Sequence, residues 1–172
     1  MDKIIIDRLI LRKIVKSDLQ DVYDYSKNPI VGLSAGWKPH ESIEETEKIM
    51  NEVFLDKDYI WGIELVENSK IIGSIGLLED PKRQNSRARM IGYAIGVDYW
   101  GKGIMTQAAK AVVDYGFANM DLNLISAYCY PSNHRSQNVL KKIGFEYEGT
   151  LRQAEKIFNG EVLDHMCFIL QK

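Results

Sequence analysis

Residues 93–119 read YAIGVDYWGKGIMTQAAKAVVDYGFAN, an alternating apolar run followed by a turn with two glycines and then by a helical pattern. Gly101 and Gly103 carry no Cβ atom, so the backbone of this turn can approach a bound anion closely. A helix opening near Thr106 starts with N–H groups that lack an internal partner, and its dipole is positive at that end. With the charge of Lys102 added, the stretch predicts a phosphate or pyrophosphate site.

The composition indicates one hydrophobic core and no strong overall charge. The 172 residues are 45% apolar with a formal net charge of −2, so we expect a single domain over residues 1–172. No long run of Lys and Arg favours nucleic-acid or membrane-surface binding. No apolar stretch is long enough for a membrane span or an export signal, which predicts a cytoplasmic protein. The oligomeric state stays open, with a homodimer among the alternatives.

The cysteines and histidines show no metal-binding pattern. Cys129 and Cys167 lie far apart in the chain without C-x-x-C spacing, and we interpret both as buried thiols. His134 and His165 each lack a second histidine at ligand spacing, so we interpret both as structural residues and assign no role to His40. We therefore expect no bound metal.

The rest of the chain predicts a mixed α+β fold. Hydrophobic periodicity gives the order β-α-α-β-β-β-α-β-α-β-β, with antiparallel hairpins on both sides of the glycine turn. Asn159-Gly160, between the last two strands, is a strong hairpin signal. We expect a central, twisted, mostly antiparallel sheet of about seven strands with about four helices, rather than a doubly wound parallel sheet.

Two segments are predicted to be loops. Residues 30–41, with two glycines and a proline, have no clear periodicity and should connect two helices. Trp37 within them is interpreted either as an aromatic plug over the core or as a wall of a substrate pocket. Residues 78–88 are polar and contain Lys82 and Arg83, and we expect a mobile loop with solvated charges.

Two nucleotide-binding patterns fail at the glycine turn. Residues 96–103, GVDYWGKG, almost match the P-loop, but Gly103 stands where a Ser or Thr must bind magnesium. The dinucleotide pattern needs a third glycine, and Thr106 stands in its place. Neither nucleotide hydrolysis nor dinucleotide binding is expected.

Two segments resemble motifs of the GCN5-related N-acetyltransferases. Residues 99–108, YWGKGIMTQA, are similar to the acetyl-CoA-binding motif of that family, and residues 133–145, NHRSQNVLKKIGF, to the motif that follows it. Trp100 and Met105 depart from the residues usual in the family, at positions that contribute mainly backbone. With the element order, the resemblance covers almost the whole chain.

The resemblance implies the GNAT acyl-CoA acyltransferase fold, N-acetyltransferase activity and acetyl-CoA as the donor. Backbone amides of the glycine turn would hold the pyrophosphate, and the strand before it would pair with the amide-bearing arm of CoA. An N–H near Val97 is then a candidate donor to the developing oxyanion. The candidate CoA-binding residues are Ile95, Gly96, Val97, Gly101, Lys102, Gly103, Ile104, Met105, Thr106, Asn133 and Ser136.

Within the family, the chain is most similar to the branch that acetylates N-terminal amines of ribosomal proteins. That likeness implies Glu155 as the base and Ser136 as the acid. Apart from the likeness, Tyr128 and Tyr130 are reserve candidates for the acid. Trp37 and Tyr128 are the candidate substrate-contacting residues. Two other functions stay open: acetylation of a small amine such as a polyamine or an aminoglycoside, and acyl-CoA binding without catalysis.

Overall fold

The computed structural model describes residues 2–172 and arranges them around one 8-stranded sheet with five α-helices. The strands are β1 (Ile4–Ile6), β2 (Leu9–Arg12), β3 (Ile60–Leu65), β4 (Ile71–Leu78), β5 (Ala88–Ile95), β6 (Leu124–Cys129), β7 (Glu146–Lys156) and β8 (Val162–Gln171). The helices are α1 (Leu19–Ser26), α2 (Pro29–Ala35), α3 (Ile43–Val53), α4 (Ile104–Asn119) and α5 (His134–Lys142). Along the sheet the order is β1-β2-β3-β4-β5-β6-β8-β7.

The sheet separates in its middle, between β5 and β6. Every neighbouring pair of strands is antiparallel except this one, which is parallel. β5 and β6 pair only where residues 88–90 meet residues 124–126, so the rest of β5 has no partner strand on that side. The predicted mixed, mostly antiparallel sheet is confirmed, and a gap opens at the carboxyl ends of its two central strands.

Buried side chains form one cluster on each face of the sheet. Ile91 and Ile95 of β5 join the larger cluster with the inner face of α4, whereas Ala94 joins the smaller one. Val22 of α1 and Met50 of α3 belong to the smaller cluster. Because successive strand residues point to opposite faces, β5 is covered on both sides and lies at the centre of the molecule.

The helix α2 corrects the prediction that residues 30–41 form only a loop. Pro29 occupies its first turn, where a missing N–H costs nothing, and the Asn28 side chain accepts a hydrogen bond from the N–H of Ile30 at 3.0 Å. Gly36 ends the helix in the left-handed region with a φ of 86°. The proline that starts the helix and the glycine that ends it are both visible in the sequence. The segment between them is too short to show helical periodicity.

Candidate active site

A cavity of about 1040 Å³ lies between the separated ends of β5 and β6. We name two sides of its wall by the residues that form them. The glycine side consists of Ile95, Gly101, Gly103 and Thr106. The α2 side consists of Trp37, Lys38, Glu45, Lys82, Glu155 and His165.

The glycine turn leaves open space beside its backbone. Gly101 and Gly103 both have a φ of 75°, and a Cβ atom built on either would have no heavy atom within 4 Å. α4 begins at Ile104 without a side-chain hydrogen bond at its cap, so its first N–H groups are available to a ligand. The turn thus has the geometry of the predicted anion site, with Ile104 and Met105 buried beneath it.

The free edge of β5 presents backbone N–H groups to the gap. The N–H of Gly96 donates to Ile72 of β4 at 2.9 Å, and hydrogen bonds alternate along an antiparallel pair. The N–H groups of Tyr93 and Ile95 therefore point away from β4, towards the cavity. The carbonyl of Ile95 already accepts from the Trp100 indole at 2.8 Å, which leaves its N–H as the group open to a ligand.

The start of α5 holds Ser136 at the cavity wall. Asn133 caps the helix, because its side-chain oxygen accepts from the N–H of Ser136 at 3.1 Å. Its amide donates to the carbonyl of Ser34 at the end of α2, at 3.1 Å. The hydroxyl oxygens of Ser136 and Tyr93 lie 2.9 Å apart and share a hydrogen bond.

Glu155 is held by two hydrogen bonds rather than extending freely into solvent. The Tyr130 hydroxyl donates to its Oε2 at 2.8 Å, and the same oxygen lies 2.9 Å from Nε2 of His165. The glutamate side chain is 41% exposed and that of His165 is 11% exposed. A carboxylate that is fixed by neighbours yet open to the cavity has the placement expected of a general base.

An irregularity in β7 brings Glu155 close to His165. Leu151 pairs with His165, whereas Glu155 pairs with Leu163, so four steps along β7 match only two along β8. Gln153 lies in this bulge with a φ of 48°, and its N–H donates to the Asp164 carboxylate at 2.8 Å. Without the bulge, Glu155 would lie opposite residue 161, before the start of β8 and further from His165.

The segment between β4 and β5 also reaches the cavity, which corrects the prediction that its charges are solvated. The Lys82 ammonium lies 2.9 Å from Nδ1 of His165 and 3.9 Å from the centre of the Tyr128 ring. The Asp80 side chain is only 1% exposed and accepts from the Tyr128 hydroxyl at 2.8 Å. Arg83 forms an ion pair with this carboxylate at 3.3 Å.

Burial raises the pKa values of three tyrosines and one cysteine around the cavity, so these phenols and this thiol are neutral at pH 7. It raises the pKa of the Tyr93 phenol, and for Tyr130 the hydrogen bond to Glu155 raises the pKa further. Burial, followed by the hydrogen bond to Asp80, raises the pKa of Tyr128 to about 12. The Cys129 thiol, which also lines the cavity, has a pKa raised by burial to about 11.

The structure collects most of the predicted site residues in one place and leaves three outside it. The predicted residues that line the cavity are Ile95, Gly101, Gly103, Ile104, Met105, Thr106, Asn133, Ser136, Trp37, Tyr128, Tyr130 and Glu155. Gly96, Val97 and Lys102 do not line it; the N–H of Gly96 bonds to β4, and Val97 starts a 3-10 turn. Sequence reasoning missed Tyr93, Lys82 and the site role of His165, because each reaches the cavity from a separate element.

Two further observations concern metals and membranes. Across residues 2–172, no group of three or more His, Cys, Asp or Glu side chains is placed to hold a metal ion. Within the same range, none of the helices combines the length and the apolar character needed to cross a membrane.

Solved structures share this fold over almost the whole chain. A ribosomal-protein-S5-alanine acetyltransferase from Vibrio fischeri superimposes with a TM-score of 0.80 at 27% identity, covering 99% of this chain and 97% of that one. A spermidine N-acetyltransferase from Vibrio cholerae, solved with CoA and spermine, has a TM-score of 0.80 at 23% identity, covering 96% of each chain. The second likeness extends to the fold alone.

The sequence comparisons also point to acetyltransferases. The chain is 34% identical over 151 residues to an uncharacterized N-acetyltransferase of Bacillus subtilis strain 168, YoaA, covering 86% of this chain and 84% of the relative. The profile of the acetyltransferase (GNAT) domain matches residues 8–146, most of the chain. The chain therefore belongs to the GNAT family of acetyltransferases, which confirms the predicted enzyme class.

Proposed function

We propose that the chain works as one domain that transfers an acetyl group from acetyl-CoA to the N-terminal amine of a protein, such as a ribosomal protein in the cytoplasm. The observation that carries the proposal is the single cavity whose wall includes the glycine turn, Ser136 and Glu155. A donor held at the turn and an amine held near Glu155 would meet in a ternary complex. Direct attack then needs no covalent enzyme intermediate.

The glycine side offers the groups that CoA requires. N–H groups from Gly101 to Thr106 are proposed to bind the pyrophosphate, with the exposed Lys102 adding a mobile charge nearby. The N–H groups along the free edge of β5 would pair with the amides of the CoA arm, as an added strand does. Gly96 and Val97 lie where that strand ends, and the N–H of Val97 is the proposed donor to the developing oxyanion.

Glu155 is proposed to take the proton of the attacking amine. A protein α-amine has a pKa of about 7.7 to 8.0, so roughly a tenth of it is already neutral near pH 7. Tyr130 and His165 both bond to Oε2, and none of the hydrogen bonds among residues 2–172 ends on Oε1. That second oxygen is therefore the one that can accept the proton, directly or through water.

Ser136 is proposed to donate a proton to the departing thiolate. Its hydroxyl shares a hydrogen bond with the phenol of Tyr93, which can orient the serine proton towards the sulfur, and the serine regains a proton from solvent as the products leave. Tyr128 and Tyr130 are weaker candidates for this step, because their hydroxyls already donate to Asp80 and Glu155.

The charges on the α2 side favour a singly charged acceptor over a polyamine. The two glutamates there, Glu45 and Glu155, are matched in number by Lys38 and Lys82, and the cavity wall carries two further cations, Arg135 and Lys142. A polyamine carries several positive charges and would need an excess of carboxylates around it. A protein N-terminus presents one amine followed by neutral peptide groups, so it does not require an excess of carboxylates in the cavity wall.

An acceptor panel tests this proposal. Release of the CoA thiol from acetyl-CoA would be measured with peptides that begin with free Ala, Ser or Met, with spermidine and spermine, and with an aminoglycoside. We expect turnover with at least one peptide and at least ~10-fold lower kcat/KM with each small amine. Fast polyamine or aminoglycoside turnover without peptide turnover would contradict the proposed acceptor.

A charge-removing substitution tests the base. Glu155→Gln keeps an oxygen that accepts from Tyr130 but loses the negative charge, so we expect kcat to fall at least ~10-fold. The affinity for acetyl-CoA, measured by calorimetry, should stay within about twofold. Glu161→Gln, an exposed carboxylate in the β7–β8 turn, is the matched control and should behave as the native enzyme. An unchanged kcat for Glu155→Gln would remove Glu155 from the reaction.

A further inference from the structure

We propose that His165 is a positioning residue for Glu155 and that Lys82 fixes the tautomer in which it works. The inference rests on the proposed role of Glu155 as base. Lys82 lies in the segment between β4 and β5, His165 lies on β8 and Glu155 lies on β7. The three side chains meet at one side of the cavity.

The tautomer follows from the chemistry of the lysine. A Lys ammonium has three donors and no acceptor, so at 2.9 Å it can bond to Nδ1 of His165 only if that nitrogen carries no proton. In a neutral imidazole the proton then sits on Nε2, which lies 2.9 Å from Oε2 of Glu155. His165 is therefore a neutral ring that accepts from Lys82 and donates to Glu155.

Other contacts hold the ring and the lysine in this arrangement. The His165 ring stacks on Tyr128, with centroids 6.0 Å apart and planes 20° apart, and contacts Tyr130 at 5.6 Å. The same Tyr128 ring lies under the Lys82 ammonium, and its hydroxyl is fixed by the buried Asp80. Ring orientation and lysine position therefore depend on one tyrosine, which limits the alternative rotamers of both.

The arrangement determines which carboxylate oxygen is free. With donors from Tyr130 and His165 both on Oε2, the carboxylate cannot rotate without losing two hydrogen bonds, each worth about 0.5–1.5 kcal/mol net. The position of Oε1 of Glu155 in the cavity is then fixed, and this oxygen accepts one proton from the amine. Without the His165 donor, the glutamate gains rotational freedom and the proton acceptor is less often in position.

A competing interpretation is that His165 only fills space between two tyrosines. The side chain is 11% exposed, so its removal would disturb packing under either interpretation. His165→Phe keeps the ring but loses both hydrogen bonds, whereas His165→Gln can donate to Glu155 and accept from Lys82. Comparing the two separates hydrogen bonding from volume.

The kinetic test measures kcat and KM for these variants with the best peptide of the panel. We expect His165→Phe to lower kcat about 10-fold with KM for acetyl-CoA within about twofold, and His165→Gln to retain at least a third of the native kcat. Lys82→Met should lower kcat about threefold or more. Lys156→Met, an exposed lysine on β7, is the control and should leave kcat unchanged.

The outcomes distinguish this inference from the proposed function. If Glu155→Gln loses activity but His165→Phe does not, or if His165→Gln falls as far as His165→Phe, the positioning role is overturned. If Glu155→Gln keeps full activity, the base assignment fails, together with the role that depends on it.

A spectroscopic readout tests the tautomer without any substrate. Imidazole ¹⁵N NMR at pH 8 should show His165 with its proton on Nε2, assigned by the signal that disappears in His165→Gln. Lys82→Met should shift the population towards the Nδ1–H form. A native ring protonated on Nδ1 would overturn the assignment to Lys82.

Discussion

Ser136 and Tyr93 share one hydrogen bond at the cavity wall, and substitutions can identify which hydroxyl serves the thiolate. Ser136→Ala should lower kcat at least ~10-fold if the serine is the donor, because general acid catalysis typically contributes 10²-fold or more. Tyr93→Phe should lower it about 2- to 13-fold, the equivalent of one lost hydrogen bond of about 0.5–1.5 kcal/mol.

Steady-state kinetics with saturating peptide would check this expectation. Ser132→Ala, an exposed serine just before α5, is the control and should leave kcat unchanged. A full native rate in Ser136→Ala together with a large loss in Tyr93→Phe would assign the acid to the tyrosine instead.

At the residue scale, motif positions were predictable from the sequence and their partners were not. Asn133 and Ser136 were named because residues 133–145 resemble a family motif, and the structure places them at the cap and in the first turn of α5. The contact of Glu155 with His165 depends on the bulge at Gln153, which changes the register of β7 against β8. No local pattern in the last hairpin reports that bulge, so His165 could only be interpreted as an isolated histidine.

Among the elements, α2 is linked to the proposed base through Gly36, the residue that follows its last turn. Gly36 has a φ of 86°, and a Cβ atom there would overlap the Tyr130 hydroxyl, which donates to Glu155. Gly36→Ala should therefore cost about 1–2 kcal/mol of stability for the positive φ alone, plus the overlap with the hydroxyl. We expect kcat to fall as well, because Tyr130 must move off Glu155.

A double-mutant cycle checks this coupling. In a Tyr130→Phe background the clashing oxygen is gone, so Gly36→Ala should cost measurably less in urea unfolding and change kcat little further. Equal costs of Gly36→Ala in both backgrounds would show that the end of α2 and the tyrosine act independently.

Short elements were the least predictable part of the fold. β1 has three residues and α2 has seven, both too short for periodicity to identify. The long elements around the glycine turn, β5 and α4, carry clear patterns and were identified correctly. The α2 side of the cavity is assembled from the segment after α2, from α3, from the β4–β5 segment and from the last two strands, so it could not be reconstructed from the sequence.

For the whole molecule, one buried histidine contributes a specific dependence of stability on pH. His40 is buried, its Nδ1 lies 2.9 Å from the Thr46 hydroxyl oxygen, and burial lowers its pKa below the ordinary 6.5. The unfolded chain then binds a proton more readily than the folded one as pH falls. The contribution of His40 is thus fully present above about pH 6.5 and is lost as pH drops through the folded pKa.

Urea unfolding of the native chain and of His40→Asn between pH 7.5 and pH 5 would measure this effect. Asparagine can place an amide near the position of the His40 Nδ1 atom but does not titrate. The variant should therefore lose less stability between pH 7.5 and pH 5 than the native protein. Parallel loss in both proteins would show that other groups set the pH dependence.

The mixed, mostly antiparallel sheet was predicted from the order of elements along the chain and implied by the family resemblance, and the structure confirms it. The separation of β5 from β6 follows from a pairing of only three residues on each strand. Nothing in the alternation of β5 indicates where that pairing stops, because the apolar side chains continue to Ile95 in the core. The position and volume of the cavity are therefore properties of tertiary packing.

The two buried cysteines have a practical consequence for assay design. Cys129 and Cys167 are free, only 7% and 6% exposed, and their pKa values are raised by burial, so few thiolates form at pH 8. A chromogenic disulfide reagent added during turnover would therefore react with released CoA far faster than with the folded enzyme. Colour that develops before substrate is added then measures the cysteines that unfolding has exposed. The folding of each variant can therefore be checked in the same cuvette as its activity.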